Sequence, residues 1–600
     1  MKAQMKPKKT SIDQQFHHLL LKKLMHPSPF LLEREAPTKV RAKLRGSQHR
    51  GPSQSGPEPT NFGLSTTLIV VDYKQKAQWL EQFKNGKIEG LAPSPHLCLQ
   101  LEQNLQDKEL PSKSETTADL ESSLPKAQVI TLQLEGGSHL LLAFLDPKLS
   151  SFDLYTCIRK NTARFWDLTP DRCAPQQCIE RCTLKLNLDR ASSALAQKIV
   201  FALAASSQIQ TWEEFRFTQS NAGASQTKKN SEAESPHRRL VVTSKLDFKS
   251  LQKSFQEGLS LGHANSQVRS LAELPPNFLY PKSYLQIVQT LIQGTGIGLE
   301  FLGTQELERL GAGAFLAVGR ADPARHQGIA VLKYLPKVKS SKKPSKSQRP
   351  TKDAPIVLVG KGLCFDTGGY SLKPTESMLG MHADMTGSAL ALTQILAAAR
   401  LELPVEIHAY LALTENLISP SAYRPNEVVQ ALDGTTIEVV DTDAEGRMAL
   451  SDTLALVRRS KPALVIDYAT LTGAAIRSLD TRRSAVFSHH PELAELAVKV
   501  GEASGERVWN FPMSQDYRDQ LKSECADLIQ CGPGRNADHI YAAVFLSHFI
   551  GSETPWLHMD LSAAENKGGL GLVPTDTTGF GVFWTHAFLE AWRNRGANKK

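Results

Sequence analysis

Long uncharged apolar runs are missing from this chain of 600 residues. No stretch approaches the ~18 residues that a membrane-spanning helix needs, so an integral membrane protein is excluded. Cysteine is scarce: eight residues without a pairing pattern do not make a disulfide framework, and the cytoplasm is the expected compartment. A secretory signal is also lacking. The run FHHLLLKKLM (residues 16–25) is broken by His and Lys, with no small-residue cleavage site after it. No Arg precedes Arg34, which argues against a transit peptide. GxxxxGK[ST] and HExxH are both absent, so neither a P-loop nor the common zinc-peptidase helix is expected. The sequence GTGIG (residues 294–298) lies between a predicted helix and a predicted strand. That is the wrong order for a dinucleotide loop, so it reads as a turn. Cys173, Cys178 and Cys182 are three clustered thiols with no evident fourth ligand, and they read as structural.

What is present is a globular composition, 41% hydrophobic and 22% charged. The length exceeds one ordinary core and predicts two or three packed units. The net charge of +9 is unevenly spread. Residues 1–60 hold 12 basic and 4 acidic residues, and residues 337–353 hold 7 and one, so the remainder is mildly acidic at −5. Both basic segments are rich in Pro, Ser and Lys and lack apolar periodicity. They read as a disordered basic tail and a surface insert, because such composition buries too little to offset chain entropy. An electrostatic tether to nucleic acid or anionic lipid is the alternative role for them.

An α/β architecture is legible along the rest. Residues 68–72, 129–134 and 140–145 read as strands and 191–205 as a helix, ending in a polar linker over 220–239. This makes residues 61–240 an N-terminal α/β domain and 241–600 a second α/β domain. In the second domain, strands are expected at 298–302, 329–334, 356–359, 405–413, 436–440 and 464–467. Helices are expected at 284–293, 385–401 and 446–459. Such alternation predicts a mainly parallel sheet flanked by helices.

Between residues 359 and 447, polar residues gather where a purely structural chain would not place them. Lys361 and Asp366 follow the predicted strand 356–359, and Asp384 precedes the Ala/Leu-rich helix. Asp441, Asp443 and Glu445 follow another strand, and Arg447 opens the next helix. In open α/β sheets the ligand crevice lies beyond the carboxyl ends of the strands. Clustered carboxylates repel one another unless cations neutralise them, and divalent metals are the usual answer. Two ions ~3.5–4 Å apart form the two-metal hydrolase design. Glycines 360, 362, 368 and 369 would let the backbone bend around such a site. Taken singly, Asp384 and Asp441 read as a cap or a turn residue; taken together with Lys361, Lys373 and Arg447 they read as a site.

The segments VGKGLCFDTGGYSLKP (359–374) and DTDAEGR (441–447) resemble the two signatures of the leucyl aminopeptidase (cytosol aminopeptidase) family. DYATLTG (467–473) is similar to the strand and loop that follow. The resemblance covers roughly residues 240–590. It implies a two-metal exopeptidase acting on peptides with a free N-terminus, with leucine and other apolar first residues preferred. The implied metal ligands are Lys361, Asp366, Asp384, Asp443 and Glu445, with Asp366 and Glu445 bridging two Mn or Zn ions. Lys361 would bind as a neutral amine. The implied catalytic groups are Lys373, which would steady the oxyanion, and Arg447, which would hold a bicarbonate. The substrate's α-amine would sit on one metal and Asp384. Met381 and residues 470–473 would line the first side-chain pocket. The resemblance also implies a homohexamer. Four positions depart from the family's usual residues: His382, Asp441, Thr386 and Cys364. A non-catalytic or dual-role DNA-binding or assembly protein on the same fold is the alternative, with the basic segments touching phosphates.

Overall fold

The computed structural model describes residues 246–595 apart from 323, 325, 337–353 and 535. Before these it describes residues 24–25, 30–34, 65–72, 78, 81, 127–133, 139–145, 149–167, 183–187, 192–209 and 238–243. Tertiary contacts separate two units, one running essentially from residue 28 to 259 and the other from 260 onward.

In the first unit, strands β1 (Phe30–Arg34), β2 (Ser65–Asp72), β3 (Ala127–Gln133), β4 (His139–Leu145), β5 (Thr183–Asn187) and β6 (Arg238–Thr243) form one sheet in the order β1-β6-β5-β2-β4-β3. Only the β3–β4 pair is antiparallel. Helices α1 (Ser151–Asp167) and α2 (Ser193–Ile209) accompany it. Two expectations are corrected here. The basic tail is not disordered throughout: Phe30–Arg34 pairs with β6, because FLLER is a short apolar segment that the composition of 60 residues averages away. The polar linker ends earlier than expected, since Arg238 and Arg239 already belong to β6. Apart from Leu24 and Met25, the rest of the tail, the insert 337–353 and Cys173, Cys178 and Cys182 lie outside the described residues.

In the second unit, an eight-stranded sheet has the order β15-β14-β17-β13-β9-β10-β8-β7. Its strands are β7 (Gly298–Gly303), β8 (Gly328–Tyr334), β9 (Ile356–Asp366), β10 (Ile407–Asn416), β13 (Leu464–Ala469), β14 (Ser484–Phe487), β15 (Val508–Asn510) and β17 (Trp556–Asp560). The small strands β11 (Val428–Gln430), β12 (Thr436–Glu438) and β16 (Leu528–Ile529) make a separate three-stranded sheet. The four middle strands β17, β13, β9 and β10 run parallel. The near-continuous apolar text of β9 and β13, buried throughout but for Phe365, reflects a sheet covered on both faces. Residues alternate between those faces. Val357 and Val359 enter a core cluster with Met448 and Leu450, which belong to helix α5 (Glu445–Arg458). On the opposite face runs helix α4 (Thr386–Arg400), well beyond α3 (Phe248–Ala272) along the chain.

One boundary differs from the sequence reading in a way that matters. β9 does not end at Val359; it pairs with β10 through Lys361↔Ala412 and on to Asp366↔Asn416. Gly360 and Gly362 therefore lie within a strand rather than a bend. Gly360 is required by close packing: a Cβ there would come 2.4 Å from the Ser388 Cα of α4. Of glycines 360, 362, 368 and 369, only Gly368 and Gly369 take the positive φ of a turn, +82° and +63°. The GTGIG segment is a turn, as expected, with Gly294 and Gly296 at positive φ.

Candidate active site

β9 delivers Lys361 from its middle and Asp366 from its carboxyl end to one floor, and the loop after β12 and the first residue of α5 bring Asp443 and Glu445 against them. A single 3-10 turn (Met381–Ala383) presents Asp384 just before α4. These five residues and Lys373 line one cavity of about 660 Å³. The ligand oxygens of Asp366, Asp443 and Glu445 lie within 4.8 Å of one another.

Two lysines hold this acidic group together. Lys361 Nζ lies 2.8 Å from Asp384 Oδ1 and 3.1 Å from Glu445 Oε1, and donates to the Thr470 carbonyl at 3.0 Å. Lys373 Nζ lies 2.8 Å from Asp366 Oδ2 and 2.6 Å from Asp443 Oδ1. Burial by itself disfavours charge on both lysines, yet the surrounding carboxylates outweigh it and hold both pKa values above the ordinary lysine range. Burial pushes the carboxyls of Asp384, Glu445 and Asp443 upward, with the lysines pulling the other way. Glu445 Oε2 is buried and finds no hydrogen-bond partner among the described residues. An orphaned carboxylate oxygen facing other carboxylates is the donor set of a hard cation.

Sequence reading missed the residues that aim this cluster. Asn416, at the end of β10, donates from Nδ2 to Asp366 Oδ1 at 2.8 Å and to the Thr442 carbonyl at 2.9 Å. Its position at the carboxyl end of a parallel strand beside β9 was the available signal. Gly368 N also donates to Asp366 Oδ1, at 2.8 Å. Thr470 Oγ1 donates to Asp384 Oδ1 at 2.7 Å. Gln530 fastens the acidic loop: its Oε1 accepts from Val440 N and Asp441 N, and its Nε2 donates to the Ala444 carbonyl. Asp441 takes the turn role, its Oδ1 accepting from Asp443 N at 3.0 Å.

Arg447 is the one expected site residue that the structure sets apart. Its side chain is 1% exposed. Nη2 donates to Asp538 Oδ1 at 2.7 Å, and Nη1 to the Gln530 carbonyl at 3.3 Å and to Cys531 Sγ at 3.7 Å. Only Nε finds no hydrogen-bond partner among the described residues. The guanidinium that the resemblance offers to a bicarbonate already holds the chain's own carboxylate. A second anion there would lie against Asp538, so bicarbonate does not fit this setting and no step is taken through it.

The catalytic-domain profile of the cytosol aminopeptidase family matches residues 266–585. The chain belongs to that family. A probable cytosol aminopeptidase of Syntrophotalea carbinolica is 39% identical over 344 residues, 57% of this chain and 66% of that protein. A second, of Desulfovibrio desulfuricans, is 38% identical over 311 residues, 52% of this chain and 60% of that protein. The matched stretch thus spans just under two thirds of these relatives' length. Among solved structures, the bottromycin maturation enzyme BotP in complex with Mn superposes with a TM-score of 0.65 at 27% identity, covering 88% of this chain and 99% of that one. The cytosol aminopeptidase of Coxiella burnetii shares the fold, with a TM-score of 0.63 at 24% identity over 89% of this chain and 98% of that one. Within this family chain no described helix is long and apolar enough to cross a membrane.

Proposed function

We propose that this family member is a metal-dependent aminopeptidase that removes the first residue from peptides. The observation that carries the reading is the convergence of two lysines and four carboxylates on one cavity, with three of those carboxylates in mutual ligand range. Lys361, Asp366, Asp384, Asp443 and Glu445 would hold two divalent ions. The Mn complex of BotP, a solved relative, supports manganese, and zinc suits the same donors. When bound, such ions would polarise the scissile carbonyl and acidify the attacking water.

The chain's own groups then do the following. Lys373, 13% exposed, faces the cavity with a fixed ammonium that would stabilise the developing oxyanion. Asp384 would receive the substrate's α-amine, which restricts cleavage to the first residue. Met381, Leu471, Ala474 and Ile476 line the cavity with apolar surface that would favour leucine-like side chains. The homohexamer is proposed from the resemblance.

The test is cleavage of leucyl-p-nitroanilide after chelation and add-back of Mn, Zn, Mg or Co, with light scattering on the same sample for the assembly. Metal-restored cleavage is expected, and Asp443→Ala combined with Glu445→Ala should abolish it. A folded protein inert with every metal would sink the reading.

A further inference from the structure

Peptide hydrolysis needs a group that takes a proton from the attacking water and returns it to the leaving amine. Most carboxylates of the cavity are committed elsewhere. Asp366, Asp384, Asp443 and Glu445 belong to the cluster held by Lys361 and Lys373. Asp441 closes a turn. Asp560 spends both oxygens on Leu471 N, Thr472 N and Thr472 Oγ1. Glu565 forms a backbone bridge with Thr577, and burial together with Glu273 and Asp576 pushes its carboxyl upward.

Asp538 differs from all of these. It opens helix α6 (Asp538–Ile550), where the unpaired backbone N–H groups favour a carboxylate. Its side chain lines the same cavity and is 26% exposed. One oxygen is fixed by the buried Arg447 at 2.7 Å. Arg447 is two residues beyond Glu445 on α5, so the guanidinium ties Asp538 to the helix that carries a cluster residue. Nothing in the sequence flagged it, since an acid at the start of an apolar helix reads as a cap.

We propose that Asp538 is the proton carrier of the aminopeptidase reaction, a built-in carboxylate on Arg447 in the place where a free bicarbonate would otherwise be needed. Its carboxylate accepts a proton from the attacking water as the water oxygen bonds to the scissile carbonyl carbon. The same proton then passes to the leaving nitrogen as the C–N bond breaks, and Asp538 returns to its starting state. The products are the free amino acid and the shortened peptide, so atoms and charge balance with water as the only co-reactant. Arg447 acts here as a positioning residue.

This inference rests on the aminopeptidase reading, and the experiment separates the two. Steady-state cleavage of leucyl-p-nitroanilide is measured in the metal-loaded protein, in bicarbonate-free buffer and with added bicarbonate or formate. Wild type and Asp538→Ala are compared. Wild type is expected to be fully active without bicarbonate and unchanged by it. Asp538→Ala should lose about 10²–10⁴-fold in kcat with little change in KM. Added bicarbonate or formate, seated in the space left on Arg447, should restore it at least about tenfold. Rescue within one variant cannot come from a folding difference. Stimulation of wild type by bicarbonate would overturn the proposal. So would an Asp538→Ala protein within a few-fold of wild type, or one that neither anion restores. A wild-type protein inactive with every metal would instead count against the aminopeptidase reading itself.

Discussion

At the scale of single residues, the site is a problem of keeping like charges together. Six of its groups are four carboxylates and their two lysine partners, none with a side chain more than 21% exposed. Each carboxylate is tolerable only because a lysine, a backbone N–H or an amide donates to it. Asn416 is the neutral member of this scheme. It touches Asp366 and the Thr442 carbonyl and so couples β10 to the acidic loop. Asn416→Ala should therefore leave the fold intact while loosening Asp366, and metal affinity should fall about 10–100-fold. Competition with a chelator of known affinity measures this directly. An unchanged metal affinity would show that Asn416 does not orient Asp366.

At the scale of elements, the helix starting at Val582 shows how a buried acid serves structure and how its cost depends on pH. Helix α7 (Val582–Asn594) has no side-chain cap from its own sequence. Glu506, which comes from a distant segment, reaches its first turn and accepts from Trp584 N at 2.7 Å. Burial raises its pKa to about 8, against the pull of the backbone donors at Trp584, Gly581 and Phe583. The folded state thus keeps a proton that the unfolded chain has released by mid-acidic pH, so stability falls as pH rises from the ordinary carboxyl range toward 8. Glu506→Gln keeps an acceptor oxygen and removes the titration. It should flatten the decline in melting temperature between about pH 5 and about pH 9, as followed by circular dichroism at several pH values. An identical pH slope in the two proteins would contradict this account. α4 teaches a related lesson about packing. Its Gly387 and the strand's Gly360 let backbone approach backbone, since a Cβ at Gly387 would meet the Tyr468 carbonyl oxygen at 2.2 Å.

At the scale of the whole molecule, the strand ends that flank the insert lie at the far end of β9 from Asp366. Tyr334 at the end of β8 and Ile356 at the start of β9 both register with Ile407, the first residue of β10. The connection therefore has to cross only one strand, two spacings of about 4.8 Å. Asp366 lies at the other end of the 11-residue strand β9, about 33 Å away at ~3.3 Å per residue. Replacing residues 337–353 by a short Gly/Ser linker should leave leucyl-p-nitroanilide cleavage within about twofold, because loop-closure cost changes slowly with length. A severalfold loss of kcat in a folded protein would show that the insert reaches the chemistry.

Much of this was readable along the chain. Lys361, Asp366, Lys373, Asp443 and Glu445 stand out in two short segments and Asp384 just ahead of a helix, and all six line one cavity, because a site built near strand ends leaves polar residues where periodicity demands apolar ones. The alternation of strands and helices likewise declared a parallel sheet. The tertiary structure alone decided three things. β9 runs through Lys361 to Asp366, since pairing with β10 overrides two glycines. Phe30–Arg34 joins a sheet because β6, some 200 residues later in the chain, offers an edge. Arg447 meets Asp538, and Asp366 meets Asn416, across 91 and 50 residues. Local pattern reports which face a residue needs, but the partner of a charge is set by which distant elements pack side by side.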